Sequence, residues 1–344
     1  MITLQRVACT LALLLTAAIL YGGCSGGTKH SGMFLICRQG KCGYIDQSGK
    51  SVIIPQFVTA DDFSEGLALV SVGSRYGFIN PKGEFVINPQ FDGAGPFMEG
   101  LASVQVGKKW GFVDATGKIV INPQFDWAYA FTDGLCPVRV QEKAGFIDKD
   151  GKYVVTPQYE VVTPFLKGLA GVRLNGKFGF IDKSGKMVIP AQFDSVFIPG
   201  SLVATGQVEW PVPVQVGGKW GFIDQSGKYV VNPQYEDTSV FSQGLASVKR
   251  DGKYGYVDSA GVVVINPQFE NASFFSDGLA VVSVGGKSGF IDKSGKYVIN
   301  PQFDSAGFFV DGLSKVGMKD KNDKWLFGFI DKSGKYVFNP TEQD

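Results

Sequence analysis

Apolar and polar residues alternate along this chain in short bursts, and the bursts come in threes. In Leu101 to Val106, Trp110 to Asp114 and Ile119 to Phe125 the apolar positions recur with the period of two of a half-buried strand. The connection Asp114-Ala115-Thr116-Gly117-Lys118 opens on a turn-forming Asp and places Gly where a three-residue hairpin loop needs positive φ. Three strands joined this way predict an antiparallel meander.

The same block recurs from Gly32 to the end of the chain. The glycine that follows the aromatic marks the phase at Gly43, Gly77, Gly111, Gly145, Gly179, Gly221, Gly255, Gly289 and Gly328, with intervals of 34, 34, 34, 34, 42, 34, 34 and 39 residues. Both long intervals arise in the hairpin segment, between Gly200 and Gly221 and between Gly312 and Gly328. The opening copy, Gly32 to Cys37, is divergent and reads as an end cap. Nine units are therefore expected in a single array over 32–344, starting near 32, 66, 100, 134, 168, 200, 244, 278 and 312.

After the third strand, Pro-Gln-Phe or Pro-Gln-Tyr recurs at Pro55, Pro89, Pro123, Pro157, Pro233, Pro267 and Pro301, where a residue without a ladder donor belongs at a strand margin. Two aromatic columns are the expected stacking core: Phe63, Phe97, Phe131, Phe165, Phe241, Phe275 and Phe309, and Phe78, Phe112, Phe146, Phe180, Phe222, Phe290 and Phe329. A buried Phe supplies roughly 1.5 to 3 kcal/mol of transfer free energy, too little to hold one unit against its ordering entropy, so neighbours must share a core. The fold class is all-β. Three strands per unit and nine units fit an ordinary propeller poorly, which favours an open or superhelical stack; a propeller-like ring is the alternative.

Composition agrees with strands and turns: the chain of 344 residues has 46 Gly, 28 Phe and one His. A net charge of +1, from 33 Lys+Arg against 32 Asp+Glu, provides no field to recruit nucleic acid, which is not expected as a partner. The N-terminus changes the picture more. Arg6 precedes an apolar run from Val7 to Leu20, too short for a membrane span of ~20 residues and suited to a signal-peptide core, so 1–23 is read as an export signal. Leu20-Tyr21-Gly22-Gly23-Cys24-Ser25 resembles a bacterial lipoprotein signal, with Tyr21 departing from the usual small aliphatic residue. That resemblance implies acylation of Cys24, cleavage before it, and a lipidated tether over 24–31. The expected location is the cell envelope, periplasmic or surface-facing, on a membrane through the lipid anchor.

Lys109-Trp110-Gly111-Phe112-Val113-Asp114 and Lys219-Trp220-Gly221-Phe222-Ile223-Asp224 resemble the signature of WG (KWG) repeats, a bacterial class. The resemblance covers Gly32 to about Pro340, although Cys42, Tyr76, Ala144, Phe178, Tyr254, Ser288 and Phe327 stand at the Trp position. It implies an all-β repeat scaffold, used as a binding or structural module, with no shared catalytic residue.

Candidate chemistry is sparse. Nucleophile–base catalysis and zinc hydrolysis usually rely on His, and the sole His30 falls in the tether. Gly49-Lys50-Ser51 and Gly286-Lys287-Ser288 lack the first glycine of a phosphate loop. The recurring acids Asp46, Asp114, Asp148, Asp182, Asp224, Asp258, Asp292 and Asp331 share their column with Asn80, which serves in a turn but not as a general acid. Asp148-Lys149-Asp150-Gly151 lacks the further ligands of a calcium loop. No enzyme activity, cofactor or metal is expected. Cys37 and Cys42 flank the first hairpin within disulfide reach, and Cys136 is read as core.

Binding remains. The aromatics Tyr76, Trp110, Phe178, Trp220, Tyr254 and Phe327 form a column that could stack sugar rings or grip peptide, or could only pack between units. The insertion containing Trp210-Pro211-Val212-Pro213 and the charged stretch Lys319 to Lys324 interrupt one edge, where specificity is often placed. The expected function is a lipid-anchored, non-enzymatic scaffold that binds protein or glycan. A purely structural envelope lipoprotein and, last, a carboxylate-dependent glycan hydrolase are the alternatives.

Overall fold

The computed structural model of the protein describes residues 32–204 and 206–342. The expected signal peptide, Cys24 and tether lie outside the described residues. Nine antiparallel sheets follow one another in chain order, eight of four strands and the first of three among the described residues. The expected meander is present in each: in the third sheet its strands are Leu101–Val106, Lys109–Asp114 and Ile119–Phe125. A further strand precedes the meander and completes the sheet. It is only two residues long in most blades, as in Thr59–Ala60 and Trp127–Ala128, and six in the third, Gly93–Met98. Each blade therefore begins upstream of the Gly-Leu pair that marks the repeat in sequence.

The phase glycine has a steric cause. The register between the third and fourth strands shifts on either side of Gly111, and the fourth strand crosses directly over it. A Cβ on Gly111 would lie 2.6 Å from the Pro123 nitrogen and would run into the carbonyl oxygen of Ile121. The same collision recurs at Gly43, Gly77, Gly145, Gly179, Gly221, Gly255 and Gly289, so only glycine fits. The Asp-opened turn forms as expected, with Gly117 at φ +86°.

The blades close into a ring, which replaces the favoured open stack with its alternative. Each seam between blades is built on one aromatic pair: Tyr44–Phe63, Phe78–Phe97, Phe112–Phe131, Phe146–Phe165, Phe222–Phe241, Tyr256–Phe275 and Phe290–Phe309, with centroids 4.7 to 5.0 Å apart. Phe34 and Phe329 make the equivalent contact at 5.7 Å between the first blade and the last. Around them Ile36, Ile45 and Leu313 are buried, and the Gln47 side-chain amide donates to the Asp311 carbonyl at 3.2 Å. Side chains close the seam between the first blade and the last, and the extra strand brings every blade but the first to four among the described residues.

A second set of ties runs around the hairpins that carry the Gly-Leu pairs. In most blades the acid or amide preceding the pair accepts from the backbone N–H of the glycine in the next blade: Glu65 from Gly100 at 2.8 Å, Asp133 from Gly168 at 2.7 Å, Gln243 from Gly278 at 3.0 Å and Asp277 from Gly312 at 2.7 Å. Blade 6 keeps both systems by other means. Its insertion forms a short helix, Gly200–Ala204, and then supplies Glu209, which accepts from Gly244 at 3.0 Å. Trp210 takes the aromatic place, 5.8 Å from Phe180.

The insertion also reaches across the ring. Leu202 and Val208 are buried in one cluster with Leu166 of blade 5 and Val240 of blade 7, against which Phe274 of blade 8 packs. A Cβ on Gly200 would meet the Tyr129 ring of blade 4 at 2.6 Å. A segment in touch with five successive blades lies at the middle of the ring.

Candidate ligand-binding cleft

Of the candidate aromatics, Tyr76, Trp110, Phe178, Trp220 and Tyr254 occupy equivalent places on the third strand of blades 2, 3, 5, 6 and 7, and all are half-buried. One side of each ring packs at the seam: Trp110 against the cluster of Phe112, Phe125, Ala128 and Val138, and Tyr76 against that of Phe78, Phe97 and Val104. The column is thus partly core. It is also partly open, because Tyr76 and Trp110 both line a cleft of about 590 Å³ between blades 2 and 3, with Thr59, Asp61, Asp92 and Gln105. Trp210 stands apart from the column. Its ring serves the seam, its indole N–H donates to the Leu166 carbonyl at 3.3 Å, and with Pro211, Asp224 and Gln225 it borders a second cleft of about 460 Å³.

What covers the aromatic faces differs among blades. Arg173 lies over Phe178 with its guanidinium 5.9 Å from the ring centre, and Lys249 over Tyr254 at 5.3 Å. Phe327, at the same position in blade 9, carries Lys315 at 4.9 Å. Opposite Tyr76, Trp110 and Trp220 stand Ser71, Gln105 and Gln215, which bear no charge.

The acids beside the column are mostly occupied. Asp92 pairs with Arg75 and accepts from the Gly107 N–H, and Asp126 pairs with Lys109 at 2.6 Å and accepts from Gln141. Each carboxylate thereby ties its own blade to the next, although solvent screens these exposed ion pairs. The turn acids are occupied too. The Asp114 Oδ1 accepts from the N–H groups of Thr116 and Lys118 and from the Thr116 hydroxyl, and Asn80 takes the same backbone bonds in its turn. The Thr116 hydroxyl is the chief cause that holds Asp114 below the usual carboxylate range.

Asp61 and Asp62 were not singled out from the sequence and are the exception. They follow the short first strand of blade 2, where the Asp61 N–H donates to the Leu69 carbonyl. The equivalent pairs elsewhere are Gly95-Pro96, Tyr129-Ala130, Thr163-Pro164, Phe197-Ile198, Ser239-Val240, Ser273-Phe274 and Gly307-Phe308, none of them charged. Lys315 is equally exceptional in its own column, opposite Phe329, where other blades have Leu69, Ser103, Pro137, Gly171, Pro213, Ser247 and Val281. Asp62 is half-buried and Asp61 is exposed, although protein atoms crowd round both carboxyls. Burial first, then Asp61, pushes Asp62 up to about 7 against the opposing pull of Lys315; burial raises Asp61 and lowers Lys315. The signal that could have found them is a charge where the repeat permits none.

Cys37 and Cys42 face each other in the first hairpin and are joined, with Cα atoms 4.0 Å apart. Cys136 is buried. Among the described residues no cluster of side chains could hold a metal ion, and no helix is long and apolar enough to cross a membrane.

No curated protein sequence matches the chain. Among solved structures it is similar to PorZ, a bacterial surface component of the type-IX secretion system of Porphyromonas gingivalis, at 8% identity and a TM-score of 0.36, over 94% of this chain and 52% of that one. The chain thus spans about half the length of PorZ. It is also similar to Hsv2p of Kluyveromyces lactis, at 8% identity and a TM-score of 0.38, over 82% of this chain and 96% of that one. The WG containing repeat matches residues 43–76, 76–110, 110–143, 145–178, 178–198, 220–254, 254–287 and 289–325. With its signature glycine fixed by the same strand crossing in blade after blade, the chain belongs to the WG containing repeat family.

Proposed function

We propose that this protein is an exported, lipid-anchored, non-enzymatic ring that binds protein or glycan at the cell envelope through the cleft between blades 2 and 3. The observation that carries this reading is the cleft itself: two half-buried aromatic rings from adjacent blades, Tyr76 and Trp110, beside the polar groups of Thr59, Asp61 and Gln105. Flat rings with few convergent polar groups suit recognition. The turn acids, engaged by their own backbones, offer no paired carboxylates for hydrolysis. Acylation of Cys24 would place the ring at a membrane surface.

Screening the full-length chain in detergent against glycan arrays and envelope extracts tests the binding role. Retention of a ligand should be lost with Trp110→Ala while the far-ultraviolet spectrum stays unchanged; retention untouched by replacing Trp110 and Tyr76 rejects this face. Metabolic labelling with a clickable fatty acid should mark the wild type and leave Cys24→Ala unlabelled.

A further inference from the structure

We infer that the cleft between blades 2 and 3 takes a lysine or arginine side chain of a peptide partner, seated over Tyr76 and Trp110 and paired with Asp61. The inference rests on the reading of this cleft as the binding site and names its ligand class.

The ring supplies its own precedent. At the same column position, Phe178, Tyr254 and Phe327 are each covered by a cation of the protein, Arg173, Lys249 and Lys315. These rings show what the open face accepts when a cation is within reach, as the quadrupole of an aromatic face dictates. In blades 2 and 3 the protein withholds that cation, with Ser71 and Gln105 in the facing positions. The same two blades border the one acid of the cleft that is not engaged by a side-chain partner. Asp92 is held by Arg75 and by the Gly107 N–H, whereas Asp61 uses its backbone for Leu69 and Tyr44 and leaves its carboxylate to the cleft. Uncovered aromatic faces and an unpaired carboxylate in one concavity call for a single positive charge on a slender stem.

The test uses the full-length chain in detergent at about 0.15 M salt, where weak surface attraction is screened. The probes are an end-blocked hexalysine peptide, its Nε-acetylated counterpart, and chitohexaose with and without N-acetylation, each titrated calorimetrically. Hexalysine should bind, acetylation should weaken it at least tenfold, and Asp61→Asn should do the same. Gln105→Lys, which copies the Lys249–Tyr254 pairing, should fold normally and block the peptide by covering Trp110. Equal affinity for both peptides, no hexalysine binding, or hexalysine binding undiminished in Gln105→Lys overturns the inference. Should N-acetylated chitohexaose bind in a Trp110-dependent way while hexalysine does not, the cleft survives as a binding site and the cationic peptide falls. Loss of Trp110 dependence for every probe removes the cleft as well.

Discussion

The seam between blades 3 and 4 and the seam between blades 5 and 6 do the same work with different chain. In the first, Phe112 meets Phe131 at 5.0 Å, both fully buried, and Glu99 reaches the Gly134 N–H at 3.1 Å. In the second, Phe180 remains in place, but its partner comes from an insertion, as the half-buried ring of Trp210 at 5.8 Å. Glu209, at the end of the same insertion, then resumes the hairpin ties toward blade 7. The contrast teaches that a seam requires an aromatic ring at a fixed place, and is indifferent to how the chain delivers it.

Removing the rings separates the seams most sharply. Phe112→Ala leaves a cavity in a closed seam and should cost about 3–5 kcal/mol, read as a fall in the urea midpoint. Trp210→Ala should cost less, about 2–3 kcal/mol, because its ring is only partly buried and the insertion can relax onto Phe180. If the two costs are equal, the insertion is as rigid as the regular seam and the contrast fails.

The acceptors come next. Glu209→Ala removes one charge-assisted bond to Gly244 and should cost about 1 kcal/mol in thermal unfolding. Glu99→Ala should match it, although Lys149 also lies 3.3 Å from Glu99. A much larger loss at Glu209 would mean that this tie holds the whole insertion at the middle of the ring.

The smallest effect concerns pH and sharpens a second contrast, between acids that serve the repeat and acids that break it. Asp114 and its equivalents Asp46, Asp182, Asp224, Asp292 and Asp331 are held low, so their contribution is present above the ordinary carboxylate range and lost on acidification below it. Asp62 has the opposite sign. Raised to about 7, it contributes fully below its unfolded value near 3.8 and loses that contribution as the pH climbs through 7. Asp62→Asn should therefore raise stability at pH 8 by on the order of 1 kcal/mol, discounted for its partial exposure, and leave pH 4 unchanged. A melting-temperature profile from pH 4 to 8 identical to that of the wild type would remove Asp62 from the account.

Much of this was legible before any coordinates. The hairpin strands could be read because each buries one face and so alternates, and the repeat because every unit solves the same packing problem. The two aromatic columns identified the seam, and Asn80 among the turn acids identified a turn. The two-residue strand such as Thr59–Ala60 left no period to detect, since two residues cannot display an alternation. Trp210 looked like a candidate contact for ligand because its role depends on Phe180, thirty residues away in sequence. Asp61 and Asp62 were visible only as ordinary loop acids.

The sequence by itself determined the unit: its strands, its turns, its phase glycine and the rings it offers to neighbours, all set by local sterics and by which side chains must leave water. Only the tertiary structure decided that nine units close, that an insertion turns inward, and that Asp61 meets Tyr76 and Trp110 in one cleft. Closure depends on the angle accumulated from blade to blade. No single unit encodes that sum, and it becomes fixed only when Phe34 and Phe329 meet.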